Sequence, residues 1–69
     1  MKTLFGSWFV ERKSLSHPQA GEVEFFDVGQ IIRIGSETRY HTSSDHSFKS
    51  FADAKAWVLR QPGAIEGNE

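Results

Sequence analysis

The spacing of apolar residues changes once along this chain. From residue 3 to residue 42, large apolar groups stand in adjacent pairs or alternate with polar ones, as strands require. Over 51–61 they recur at spacings of three and four. Phe51, Ala54 and Val58, continued by Gln61, form a stripe with Trp57 beside it. Ala52, Ala54, Lys55, Ala56, Leu59 and Arg60 are good helix formers. Ser50 is a natural N-cap, because its hydroxyl can accept from an orphan first-turn N–H, and Asp53 puts negative charge at the positive end of the helix. Pro62 disfavours helix at Gln61, and Gly63 can take the left-handed turn. The pattern therefore predicts one helix over 51–61, with Phe48 packing just before its cap.

Everything before that helix has the character of strand and turn. Residues 3–13 predict a first strand rich in Trp8, Phe9 and Val10 and closed by charges, with Gly6 marking a bulge or a close approach. Residues 14–21, with Ser, His-Pro and Gly, have the composition of a loop. Residues 22–28 and 30–34 predict two more strands, joined either by a tight turn at Val28-Gly29 or as one long strand bulged at Gly29. A turn at 35–37, a short strand at 38–42 and a loop at 43–46 complete the path to the helix. The expected fold is α+β, an antiparallel β-sheet of three to four strands followed by one C-terminal helix packed on one face, in the order β-β-β-β-α. Residues 1–62 form the expected single domain and 63–69 a flexible tail.

The pairs Trp8-Phe9, Phe25-Phe26 and Ile31-Ile32 put large apolar groups on both sides of such a sheet. A helix over 51–61, about 16 Å long at 1.5 Å per residue, covers one side only. The face opposite the helix is then expected to expose Phe5, Phe9, Phe26 and Ile31 beside Arg33, Arg39, His41 and Glu24. A patch of that kind is seldom left in water by a soluble monomer. Either the sheet curls and the first strand or the 14–21 loop folds over this face, or a partner covers it, most simply a second copy.

Length and composition narrow the choice of functions. The chain has 69 residues and no cysteine, which excludes disulfides and thiolate metal sites. So small a domain has little core, and oligomerisation is one of the usual supports. Lys plus Arg number 8 and Asp plus Glu 9, so without the tail residues Glu66 and Glu69 the balance is 8 positive to 7 negative. Such near-neutrality lacks the bulk electrostatics of a non-specific DNA binder. No stretch approaches the ~20 apolar residues of a membrane helix, and no apolar run marks a signal peptide. A cytoplasmic protein without membrane contact is expected.

Catalytic and metal-binding patterns are weak. His17, His41 and His46 with Asp45 match no standard ligand spacing, and neighbours such as Asp45 and His46 point apart in extended chain. VGQIIRIG contains no phosphate-loop pattern. Glu22 and Glu24 lie roughly 7 Å apart on one strand face, a spacing found in any solvated strand. No enzymatic activity, cofactor or metal is expected. Arg12, Lys13, Arg33, Arg39 and Lys49 among aromatics would suit nucleic-acid stacking, but Glu11, Glu22, Glu24 and Asp27 lie among them. The segment Phe48-x-Ser50-x-x-Asp53-Ala54 resembles the strand-to-helix junction of AP2-like DNA-binding domains, including those at the start of phage integrases. The resemblance implies a three-stranded sheet before one helix and DNA contact through the sheet. It is confined to the junction, and the strongly basic sheet of those domains is missing here. The leading expectation is therefore a non-enzymatic binding domain that associates with protein, a second copy of itself included, through the face opposite the helix, via Phe5, Phe9, Phe26, Ile31, Arg33, Arg39 and His41. The alternative is nucleic-acid binding through the aromatic and Arg residues of the same face.

Overall fold

The computed structural model describes residues 2–66 and, for Ser44, the backbone alone. The fold is α+β. Strands β1 (Lys2–Phe5), β2 (Trp8–His17), β3 (Gly21–Ile34) and β4 (Glu37–Phe48) precede a single helix, α1 (Phe51–Leu59). The strands form one antiparallel meander in the order β1-β2-β3-β4.

The strands are longer than composition suggests and are divided differently. The expected first strand is a hairpin. Gly6, at φ 67°, turns the chain so that Phe5 pairs with Trp8 and Lys2 with Glu11. A Gly-Ser pair between two apolar runs is itself a two-residue hairpin signal. The expected 14–21 loop is mostly strand. Here β2 runs to His17, opposite Gly21, and the Nδ1 of His17 accepts from the backbone N–H groups of Gln19 and Ala20 at 3.1 and 3.2 Å. The segments 22–28 and 30–34 are one continuous strand with an irregularity at Asp27–Gly29, so the long bulged strand is the form observed. The extra residues belong to β4: Asp27 pairs with Ser47 and Gly29 with Thr42, so residues 43–46 all stand against Val28. That surplus sharpens the local bend and twist, and it occupies the expected loop.

The helix begins as its cap predicts. Ser50 is extended (φ −133°, ψ 150°) and its hydroxyl accepts from the Asp53 N–H at 3.1 Å. Replacing Ser50 by alanine should cost about 1 kcal/mol, read by urea denaturation. The helix stops two residues sooner than expected. Arg60 and Gln61 donate to Trp57 and Val58 carbonyls three residues back, at 3.2 and 2.9 Å, which tightens the last turn. Buried Ala54 and Val58 pack on Phe5, Val10 and Val28, with Trp8, Phe26, Phe48 and Trp57 around them. Phe51 borders this core against Phe5 and Phe26, at ring separations of 6.3 and 6.1 Å.

Residues 63–66 of the expected tail are tied to the body. Ser7 N–H donates to Gly63 O at 3.0 Å and Ile65 N–H to Phe5 O at 3.2 Å, so this segment lies antiparallel along the β1–β2 turn. The indole N–H of Trp8 donates to Pro62 O at 2.9 Å, and Lys55 pairs with Glu66 at 3.2 Å. Residues 67–69 lie outside the described residues. Trp8→Phe removes the indole donor and should cost about 1 kcal/mol. Faster hydrogen exchange at Ile65 would locate that loss at the C-terminal strap.

Candidate functional site

The pairing register decides which residues share the face away from the helix. Core residues Val10, Phe26 and Val28 define the helix side. With a period of two, the other face carries Lys2 and Leu4 from β1, and Phe9, Glu11, Lys13 and Leu15 from β2. From β3 it carries Val23, Phe25, Asp27, Gly29, Ile31 and Arg33, with Tyr40 of β4 opposite Ile31.

This divides the seven residues expected to form one surface. Phe9, Ile31 and Arg33 lie on the far face. Phe5 and Phe26 lie on the helix side, Phe5 in its buried core and Phe26 half-buried against it. Arg39 and His41, opposite Ile32 and Gln30, share the helix-side parity, and Arg39 pairs with Glu37 at 3.2 Å. Three strands depart from the expected facing: Phe26 rather than Phe25 turns inward on β3, the hairpin at Gly6 puts Phe5 on the helix side with Trp8, and Tyr40 of β4 joins Ile31 on the far face, which turns Arg39 and His41 the other way. The platform of aromatics with arginines is thus not assembled from these residues on either face.

The two far-face apolar residues are also enclosed within a single copy. Phe9 has no exposed surface and Ile31 only 5%. Gly29, opposite Phe9, has no side chain, so the phenyl ring lies directly over its backbone. Tyr40 meets the ring edge-on at 5.5 Å, and the Lys2 ammonium sits 4.8 Å from the Tyr40 ring and 5.8 Å from the Phe9 ring. The β1–β2 turn is pinned to β3 by an Ile31 N–H to Ser7 O bond of 2.7 Å. The sheet therefore holds a second small core on the side the helix does not reach.

What remains open on the far face lies in two places, separated by charge. At the base, Leu4 and Tyr40 are about half exposed (50% and 47%). Next comes a band in which Lys2 meets Glu11 at 3.5 Å and Lys13 meets Asp27 at 3.1 Å and Glu11 at 4.0 Å. Beyond it β2 and β3 continue as a two-stranded arm. β1 pairs with β2 only as far as Glu11, and β4 ends at Phe48 opposite Phe26. Residues 12–24 are all exposed. On the arm Leu15 and Val23 face each other as a cross-strand pair, 61% and 42% exposed, next to half-buried Phe25. The expected alternative, in which the 14–21 segment folds back over the far face, is not what this segment does. It stands out from the body as a ribbon of β2 paired with β3, exposed from residue 12 to residue 24. The signal for the arm was in the sequence, since Lys13, Leu15 and His17 keep a period of two through the serines.

The residues considered for chemistry are dispersed. His17 is at the arm tip. Ser43 Oγ lies 3.1 Å from Nδ1 of His46, whose ring packs on Trp57 at 4.4 Å. That contact, three residues apart within the β4 bulge, orients the imidazole against the helix. His41 and Asp45 line a shallow hollow of about 290 Å³ with Trp8, Gln30, Thr42 and Ser43. A larger groove of about 480 Å³ lies on the helix side between Phe51, Phe26, Val10 and Arg12. Glu24 is paired with Arg12 at 3.7 Å on the arm. Among the described residues, no three His, Cys, Asp or Glu side chains converge as a metal site. No helix among them is long and apolar enough to cross a membrane. Compared with protein families, with curated proteins and with solved structures, the chain matches none of them.

Proposed function

We propose that this chain is a small non-enzymatic binding module that acts by protein–protein association through the sheet face opposite the helix. The working residues differ from those the sequence suggested. They are Leu15, Val23 and Phe25 on the arm and Leu4 and Tyr40 at the base, rather than Phe9 and Ile31 beneath them. The observation that supports the reading is the Leu15–Val23 pair: two aliphatic side chains opposite each other on a ribbon that no other element among the described residues covers. A two-stranded ribbon by itself is only marginally stable in water, and covering its apolar face would stabilise it.

The reading is tested by light scattering and hydrogen exchange over a concentration and salt series. Association that slows exchange on the far face and persists at high salt is expected, because an apolar contact responds little to salt. A mass fixed at one chain, together with binding to labelled oligonucleotides that weakens steeply as salt rises, would instead move the assignment to nucleic acid.

A further inference from the structure

We propose that the arm joins two copies of this chain, antiparallel and two-fold, along the free edge of β2 at residues 12–17, so that one sheet continues through both. This names the partner for the association proposed above and rests on that reading. The arm has two open edges. Among the described residues, β2 beyond Glu11 has no strand on its β1 side, and β3 before Phe26 has none on its β4 side. Unpaired backbone groups along such an edge are a template for another strand.

Charge separates the two edges. Self-pairing along β3, in the register that sets Val23 against its counterpart, places Glu22 opposite Glu24 twice, and like charges directly opposite are destabilising. Along β2, the register that sets Leu15 against its counterpart places Ser14 opposite Ser16, hydroxyl against hydroxyl. Lys13 falls opposite His17, but the Lys13 ammonium is already turned to Asp27 and Glu11 within its own chain. The His17 Nδ1 accepts two backbone N–H bonds, from Gln19 and Ala20, so the ring is likewise engaged within its own turn. Pro18, which has no N–H, ends the edge at His17. Pairing β2 of one copy with β3 of the next would satisfy the charges but is head-to-tail and propagates, whereas the two-fold arrangement closes. It also lines up Val23, Leu15, Leu15 and Val23 as one aliphatic row across the junction, from side chains that stand open in one copy.

Sedimentation equilibrium on the full chain, from dilute to NMR concentrations, tests the proposal. The mass should rise to that of two chains. Exchange at residues 12–16 should slow with concentration while residues 21–25 keep their rates. Leu15→Asp, at an exposed position, should keep the melting temperature of the dilute protein and weaken the dimer by about tenfold or more. A single-chain mass at every concentration would overturn the pairing, as would a dimer indifferent to Leu15→Asp. A dimer protected at Leu4 and Tyr40 instead would overturn the arm pairing and leave far-face association standing.

Discussion

Phe9→Ala should lower the free energy of unfolding by about 3–5 kcal/mol, the range for removing a large buried aromatic. Phe9 has no exposed surface, and it lies on the side of the sheet that the helix does not touch. Its loss leaves a hole between Gly29, Ile31 and Tyr40 that no nearby side chain can fill without leaving its own partners. A chain of 69 residues holds a total stability of about 3–10 kcal/mol at ordinary per-residue values, so this one change removes a large part of it. Tyr40→Ala is the matched comparison. Tyr40 is 47% exposed, so it should cost clearly less. Urea denaturation of both variants checks this. A Phe9→Ala cost below about 1 kcal/mol would mean that the ring is not packed as described.

Gly29→Ala should destabilise by about 3 kcal/mol, at the upper end of ordinary overpacking. Glycine within a strand usually weakens it, so alanine there would ordinarily help. Here the sign reverses. A Cβ at Gly29 would stand 2.6 Å from two ring carbons of Phe9 and closer still to the carbonyl oxygen of His41. The ring is fully buried and the carbonyl belongs to the neighbouring strand, so neither can move aside cheaply. The two effects separate in a double-mutant cycle. In a Phe9→Ala background the same substitution should cost less, because the ring is gone, but not nothing, because the His41 carbonyl remains. A Gly29→Ala protein as stable as the parent would remove the reason given for the burial of Phe9.

These two positions show where reading the chain alone stops. Phe9 and Ile31 were visible as large apolar groups on the face away from the helix, and that placement is the one observed. Counting helices predicts both to be exposed, but such a count treats a sheet as flat. The bare backbone of Gly29 and the cover from Tyr40 and Lys2 close the face locally without a second helix. Phe25 and Phe26 offered no means of choosing between them, since adjacent identical side chains fit either face. The pairing of Arg12 with Phe26 and of Val10 with Val28 settles it. The stretch after Lys13 has the composition of a loop because Ser14 and Ser16 occupy the wet helix-side face of the ribbon and only Leu15 stands between them on the other.

The sequence by itself determined the class and order of elements, the Ser50 start of the helix, its end ahead of Pro62 and the presence of bulky groups on both sides of the sheet. Those features depend on neighbours a few residues apart, through side-chain period, capping and proline geometry. Only the tertiary structure decided that the N-terminal strand is a hairpin, that the bulge falls at 43–46, that Phe9 and Ile31 are enclosed, and that Leu15 and Val23 stand exposed on a projecting arm. Those features depend on which strand lies beside which and in what register. Register is a collective outcome of contacts between residues distant in the chain, and a shift of one residue exchanges every side chain between the two faces.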